Sequence, residues 1–102
     1  MQKYIQVTTT VNKKRIAKDI AKKLIEQKIA ACIQIMPIRS TYRWNNRIES
    51  KKEFMLIIKG NDFKKIGKAI RELHPYELPE IIATPITAAN KEYLDWIDKQ
   101  TE

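Results

Sequence analysis

The chain of 102 residues is poor in the residue types that mark several large protein classes. Its single cysteine, Cys32, rules out an internal disulfide framework and is typical of a reducing compartment. Only 2 glycines are present, which argues against a disordered or fibrous chain. No segment has the roughly 20 apolar residues that span a bilayer, and residues 1–10 lack the apolar run of a signal peptide. We therefore expect one domain over residues 1–102, in the cytoplasm and without a membrane partner.

Motifs of the common enzyme classes are also missing. The sequence contains no Walker loop, no GxGxxG and no HExxH. A single histidine and a single cysteine leave a Cys-His nucleophile formally open, but no local pattern supports one. We expect no enzymatic activity.

The net charge of +8 raises the question of a nucleic-acid partner. Much of the excess lies between Asn12 and Lys28, where seven basic residues accompany Asp19 and Glu26. These bases occupy the outward face of an amphipathic helix, which is usually solvated. Nucleic acid is therefore not the expected partner, and an anionic small ligand is an alternative.

Hydrophobic periodicity predicts four strands and three helices. In chain order they are a strand over 4–10, a helix from an Asn12 cap to residue 27 or 28, a strand over 29–36 that resumes over 40–44, a strand over 47–60, a helix over 63–73 capped by residues 61–62, a strand over 80–86 and a short helix capped by Asn90. This order is the split βαβ pattern of an α+β, ferredoxin-like βαββαβ sandwich, with an added C-terminal helix.

The second and third strands predict an extended hairpin. Residues 29–44 would reach about 50 Å at about 3.3 Å per residue. Asn45 and Asn46 form a two-residue turn signal, because Asn tolerates positive φ. We expect the tip, with Tyr42 and Trp44 on one face, to protrude and dock on a neighbour. Pro37 indicates an edge strand or a bulge, since proline cannot donate to a ladder.

The third strand is apolar on both faces. Phe54, Leu56 and Ile58 lie on one face, and Met55 and Ile57 lie on the other. Two helices can cover one face of a four-stranded sheet, but not both. We therefore expect a subunit partner on the second face, because large exposed apolar patches are rare on monomers.

A polar junction, His74-Pro75-Tyr76-Glu77-Leu78-Pro79-Glu80, connects the second helix to the fourth strand. Pro75 disfavours helical geometry at His74, so the helix should end there, and Pro79 forces a second extended step. Two interpretations stand side by side. The junction is either a rigid connection with a capping histidine or the polar half of a binding site.

Soft metal ligands are few. A Cys32 thiolate, the Met36 thioether on the same strand face and the His74 imidazole would together favour copper. Structural zinc is not indicated, because there is no CxxC and no paired histidine. The alternative is that Cys32 is a small buried hydrophobe and Met36 only packs. Lys59 is expected on the uncovered face, beside Cys32 or Glu77, in a ligand site or in a structural ion pair.

The same strand order occurs in RNA-recognition domains, which stack bases on aromatic side chains in mid-strand. Here Tyr42 and Trp44 lie at the hairpin tip instead, and residues 47–60 lack the RNP1 consensus. This lowers the expectation of an RNA partner further.

With these residues placed, the sequence closely resembles the divalent-cation tolerance protein family, CutA. The matching pieces run in order along the chain and are Ala30-Ala31-Cys32, Tyr42-x-Trp44, Glu49 and Glu53, Ile58-Lys59, His74-Pro75-Tyr76-Glu77-x-Pro79 and Asn90-x-x-Tyr93-Leu94-x-Trp96. The resemblance implies a tight homotrimer joined through its hairpins, similar to the PII signalling proteins. It also implies a link to divalent metals, copper especially.

The family's inter-subunit pocket would map onto Cys32, Lys59, His74, Tyr76 and Glu77, with Tyr42 and Trp44 near it. In this interpretation Cys32 and His74 are metal ligands and the others line a ligand-binding cleft. An alternative function is a signalling module that binds an anionic metabolite in the same cleft, with Lys59 as its charge partner.

Two departures from the family are visible. Some bacterial members have a cysteine in the first strand and a second histidine before the motif histidine, where this chain has Thr8 and Leu73. Fewer soft ligands therefore remain for copper. The hairpin turn, which often holds an acid and a glycine, is Asn45-Asn46 here.

Overall fold

The structure, a computed structural model, describes residues 3–102, so residues 1 and 2 of the predicted domain lie outside the described part. Within it the elements follow the predicted order, and they are β1 Ile5–Val11, α1 Lys14–Glu26, β2 Cys32–Trp44, β3 Arg47–Gly60, α2 Phe63–Leu73, β4 Ile82–Pro85 and α3 Lys91–Gln100. The strands form one antiparallel sheet in the order β2-β3-β1-β4. The α+β, ferredoxin-like prediction is confirmed.

Helices α1 and α2 cover one face of this sheet. The residues buried between them and the strands recur with period 2 on the strands and every three or four residues on the helices. The fully buried members are Val7, Val11, Ala17, Ile20, Leu24, Leu56, Ile58, Ile66 and Ile70. The apolar stripes of both helices therefore point inward.

The helix termini differ from the predictions in two places. Asn12 was expected to cap α1, which is wrong: the chain turns through Asn12, Lys13 occupies the N-cap position, and no side chain bonds to the first turn. Asn90 does occupy the N-cap of α3, but its side chain makes no capping bond. Asp62 caps α2 as predicted, with its carboxylate accepting from the Lys65 N–H at 3.1 Å.

Two strands begin later than predicted. The strand expected from residue 29 begins at Cys32, because residues before it terminate α1. Lys28 adopts a φ of 57°, and the N–H groups of Ile29 and Ala30 both donate to the Leu24 carbonyl. The strand expected over 80–86 is limited to Ile82–Pro85, since β4 pairs only with residues 5–8 of β1.

The hairpin is continuous and protrudes. β2 and β3 pair from Cys32↔Lys59 to Trp44↔Arg47, and Asn45 and Asn46 make the turn with φ of 51° and 63°. Since β1 pairs only with residues 54–60 of β3, the hairpin extends past the body by about 23 Å at about 3.3 Å per residue. It gives the molecule a length of 45 Å.

The second face of the sheet, which we call the open face, is only partly covered. α3 covers its end near Tyr4, whose hydroxyl donates to Asp98 at 2.6 Å, and Ile97 is buried there. The rest of the face presents Met36, which is 40% exposed, and Ile82, which is 54% exposed. The expectation of a largely uncovered apolar face is thus met, with α3 covering one end.

Gly67 provides a test of the packing of α2. A Cβ built at Gly67 would have Ile81 Cγ2 as its nearest contact, at 4.0 Å. Because alanine fits there and restricts the unfolded chain, Gly67→Ala should raise the free energy of unfolding by about 0.5–1 kcal/mol. Denaturant titration at one fixed protein concentration measures this. Lys68→Ala, an exposed neighbour, should stay within about 0.5 kcal/mol; a loss of stability in Gly67→Ala would contradict the packing.

Candidate functional site

The His-Pro junction, residues 74–80, starts where α2 ends. The His74 N–H donates to the Ile70 carbonyl at 2.9 Å, which closes the last helical turn, and Pro75 then directs the chain away. Both ring nitrogens of His74 are engaged. Nε2 lies 2.9 Å from the Thr10 carbonyl oxygen, and Nδ1 accepts the Tyr76 N–H at 3.2 Å. This pattern requires the neutral tautomer with its proton on Nε2.

Burial lowers the pKa of His74, although the Thr10 carbonyl and the Glu53 carboxylate oppose the shift. The ring also packs edge-on against Tyr76, with 4.8 Å between ring centroids. A neutral histidine is therefore part of the architecture of the junction, where it fixes the end of β1 to the start of the Tyr76 segment.

Tyr76 connects the junction to the hairpin. Its hydroxyl donates to the Glu53 carboxylate on β3. Glu53 is only 4% exposed, so this hydrogen bond is made largely out of water. Burial raises the pKa of Tyr76 well above its usual range, and the bond to Glu53 raises it further. The pair holds the junction against the base of the protruding hairpin.

Between the junction and the hairpin lies a groove of about 710 Å³, which we call the hairpin groove. The strand residues that line the groove lie on the open face. Ser40 and Tyr42 are an even number of residues from Met36 on β2, so their side chains point to the same face as Met36. Their partners across the hairpin, Lys51 and Glu49, point to that face as well. The groove contains the aromatic residues Tyr42, Trp44 and Tyr76 and the carboxylates Glu49, Glu53, Glu77 and Glu80. Tyr42, Trp44, Tyr76 and Glu77 were predicted at a cleft, and the structure brings these four together.

Cys32 and Lys59 lie elsewhere on the same face. They pair across β2 and β3, and Gln34 joins them: its amide donates to Cys32 Sγ at 3.1 Å and its Oε1 accepts from Lys59 Nζ at 2.6 Å. Tyr93 of α3 adjoins this cluster. Burial raises the pKa of Tyr93, and the Cys32 thiol raises it further. Lys59 is thus beside Cys32, as one of its two predicted placements required, and not beside Glu77.

Within one chain, the two predicted metal ligands, Cys32 and His74, lie far apart. Thr10, which contacts the His74 ring, pairs with Met55, and Met55 is four residues from Lys59 on β3. Cys32 and His74 are therefore about 13 Å apart along the strand direction alone, at about 3.3 Å per residue. Within residues 3–102 no group of three His, Cys, Asp or Glu side chains lies close enough to hold a metal ion. The two predicted ligands, Cys32 and His74, therefore do not meet within one chain, and their predicted place in an inter-subunit pocket stays a prediction.

Sequence reasoning did not assign Glu49, Glu53 or Lys51 to the site, and it included Glu80 only as the end of the polar junction. A signal existed for Glu49, because a two-residue turn at Asn45-Asn46 fixes its pairing with Tyr42. No local signal existed for the burial of Glu53, which depends on a contact with Tyr76, 23 residues away.

The fold and the groove define a class: a ferredoxin-like α+β protein with a protruding hairpin, whose polar residues gather where the hairpin meets the junction before the last strand. The family model for the CutA1 divalent ion tolerance protein matches residues 5–100. The chain belongs to this family, and the resemblance seen in the sequence is confirmed.

Relatives of similar length support the assignment. The divalent-cation tolerance protein CutA of Thermus thermophilus is 41% identical over 98 residues, covering 93% of this chain and 95% of the relative. That of Archaeoglobus fulgidus is 42% identical over 88 residues, covering 84% and 86%. Among solved structures, the periplasmic divalent cation tolerance protein CutA of Archaeoglobus fulgidus is similar with a TM-score of 0.95 and 38% identity, covering 97% of this chain and 99% of that chain.

Over the described residues, no helix is long and apolar enough to cross a membrane.

The neutral His74 predicts a pH dependence of stability. Because its folded pKa lies below the ordinary value of 6.5, the unfolded chain binds more protons just below that pH. Its contribution to stability is therefore complete above pH 6.5 and decreases as the pH falls through the lowered pKa. We expect stability to decrease between pH 7.5 and pH 5.5.

His74→Gln isolates this effect, because a glutamine amide can still donate to Thr10 but cannot titrate. The decrease over that pH range should be smaller in His74→Gln than in the wild type, as measured by thermal unfolding at several pH values. Equal decreases in both proteins would show that His74 does not titrate as described.

Proposed function

We propose that this protein is a non-enzymatic homotrimer that binds or responds to divalent metal ions such as copper, in the cytoplasm. The observation that carries the proposal is the open face. Beyond α3 it leaves apolar side chains of β2 and β4 exposed, next to a hairpin that leaves the body of the chain. A second and a third copy would cover this face, since residues 3–102 contain no further helix or strand to do so.

The metal part of the proposal rests on family membership and on what one chain lacks. Because no three ligands converge within residues 3–102, an ion would need ligands from more than one subunit. Cys32 is a half-buried thiol that accepts one weak hydrogen bond from Gln34, so it is available as a soft ligand. His74 would join only after releasing Thr10 or Tyr76.

The geometry gives less support to an anionic metabolite in the predicted cleft. Lys59, its intended charge partner, donates to Gln34 at the opposite end of the open face. The groove that holds Tyr76 and Glu77 contains four carboxylates and one ammonium group, from Lys51. Its charge favours cations over anions.

The assembly can be tested with two side chains of similar exposure on opposite faces. Met36 on the open face is 40% exposed, and Ile25 on the helix layer is 44% exposed. Light scattering should give three chains per particle for the wild type and for Ile25→Glu. Met36→Glu should give monomers, because it places a charge in the subunit contact. A monomeric wild type at micromolar concentration would reject the homotrimer.

Copper binding can be tested by anaerobic titration of wild type, Cys32→Ser and His74→Gln. We expect Cys32→Ser to weaken binding by about tenfold or more, since the loss of even an outer-shell partner has effects of that size. His74→Gln keeps the bond to Thr10, so any loss would report ligation rather than unfolding. The monomeric Met36→Glu should bind weakly if ligands are shared. The same affinity in all four proteins would remove Cys32 and His74 as ligands.

A further inference from the structure

The positive charge of the chain is concentrated on one side of the molecule. Helices α1 and α2 with their flanking residues, 12–28 and 61–73, form the helix layer on the sheet face opposite the open face. This layer holds 11 of the 20 basic residues but only 4 of the 12 acidic ones, which leaves 9 basic and 8 acidic residues for the rest of the chain. The net charge of +8 therefore lies almost entirely on the helix layer.

Most acidic residues of the helix layer already have partners. Asp19 lies 3.6 Å from Arg15, and Glu72 pairs with Lys23 across the two helices. The Asp62 carboxylate accepts the Lys65 N–H at 3.1 Å. Among the described residues, nine exposed cations of the layer form no ion pair, and they are Lys13, Lys14, Lys18, Lys22, Lys28, Lys64, Lys65, Lys68 and Arg71.

Six of these cations form one row along each helix. Lys14, Lys18 and Lys22 are four residues apart on α1, and Lys64, Lys68 and Arg71 follow one another at spacings of four and three on α2. Residues at these spacings are neighbours on a helix surface, where like charges repel and weaken the helix. A partner that carries a row of negative charges would remove this repulsion when it binds.

The surface of α2 is also concave. A groove of about 500 Å³ lies beside Gly67, which has no side chain to fill it, and the groove is lined by Lys64, Lys68 and Arg71. Glu72 also lines it, but its carboxylate pairs with Lys23. The expectation against a nucleic-acid partner considered the lysines of α1 alone, whereas the structure places this second cationic row in the same layer.

The composition of the helix layer decides which polyanion fits it. Single strands need several aromatic side chains on which successive bases stack, and the layer has one aromatic residue, Phe63. Binding to a membrane surface needs an apolar face, but the apolar stripes of both helices are buried against the sheet. The exposed Ile25, Phe63 and Leu73 lie separately at helix ends. Duplexes need only cations opposite their phosphates.

From this arrangement we propose that the helix layer binds double-stranded nucleic acid through its phosphate backbone, without reading its sequence. Lys64, Lys68 and Arg71 hold phosphates along the α2 groove, and the lysines of α1 hold further phosphates beside it. Because the layer lies on the opposite side of the sheet from the open face, it is present in one chain and stays uncovered in the proposed trimer. The proposal therefore does not rest on the trimer or on copper.

Fluorescence anisotropy with a labelled DNA duplex of about 20 base pairs tests the proposal. We expect a Kd of about 10⁻⁶ to 10⁻⁴ M at physiological salt, the range of sequence-independent binding. Two duplexes of unrelated sequence should bind equally, and the affinity should fall steeply with salt, because phosphate contacts release counterions. No binding at about 50 mM salt, or an affinity that does not change with salt, would overturn the proposal.

Other polyanions distinguish a duplex from its competitors. A single strand of the same length, polyglutamate and phosphatidylserine vesicles should each bind more weakly than the duplex. The single strand has the lower charge density and lacks stacking partners, and the vesicle meets no apolar face. Binding of any of the three as tightly as the duplex would reject double-stranded nucleic acid as the partner.

Matched variants locate the site. The combined Lys64→Gln, Lys68→Gln and Arg71→Gln variant removes three charges at exposed positions of α2, where glutamine favours the helix. The slope of log affinity against log salt should become smaller by about 3, or about one per phosphate contact. The combined Arg39→Gln, Arg43→Gln and Arg47→Gln variant removes the same charge from exposed positions of the hairpin, outside the layer, and should leave the slope unchanged.

Two results from these variants would reject the helix layer as the site, once circular dichroism shows both variants folded. One is an unchanged slope in the α2 variant. The other is an equal decrease in the α2 and hairpin variants, which would mean that binding follows net charge alone.

Discussion

The register between β2 and β3 is the constraint on which the other features depend. It is fixed by two consecutive left-handed residues, Asn45 and Asn46, and continues from the tip to Cys32↔Lys59. A slip of one residue would move every side chain of one strand to the opposite face. Leu56 would leave the core, and Tyr42 would leave the groove. Core, open face and groove are thus three consequences of one pairing.

A second contact, the hydrogen bond from the Tyr76 hydroxyl to Glu53, holds the junction against the base of the hairpin, so that the hairpin forms one side of the groove. Beyond β1 the hairpin has no neighbouring strand, and the Tyr76 hydroxyl reaches Glu53 near the point where it leaves the body. Because His74 holds the start of this segment to Thr10, the position of Tyr76 is set from both sides. The polar residues of the junction therefore brace the structure as well as line the groove, and the two interpretations of the junction are compatible.

Local pattern predicted the elements well, and it predicted the site only in part. The strand and helix periods, the Asn-Asn turn and the Asp62 cap each depend on residues that are close together in the sequence, so local pattern was enough to predict them. The burial of Glu53 could not, because it depends on a tyrosine that follows a helix and a proline. His74 illustrates the same limit: its residue type suggested a metal ligand, whereas its occupied nitrogens become visible only when Thr10 is placed beside it. The start of β2 was missed for a related reason, since Lys28 adopts a left-handed backbone geometry that its residue type does not indicate.

Pro37 lies on a strand that has a free edge along thirteen residues, from Cys32 to Trp44. The ladder to β3 runs unbroken through Pro37↔Phe54, so the proline leaves the internal pairing intact. At the free edge it interrupts the row of donors that a further strand would need. Open-ended strand addition, the first step of fibrous aggregation, is therefore blocked near the middle of the longest exposed edge. Association of this protein through its uncovered apolar face is therefore favoured over open-ended addition of strands at the edge of β2.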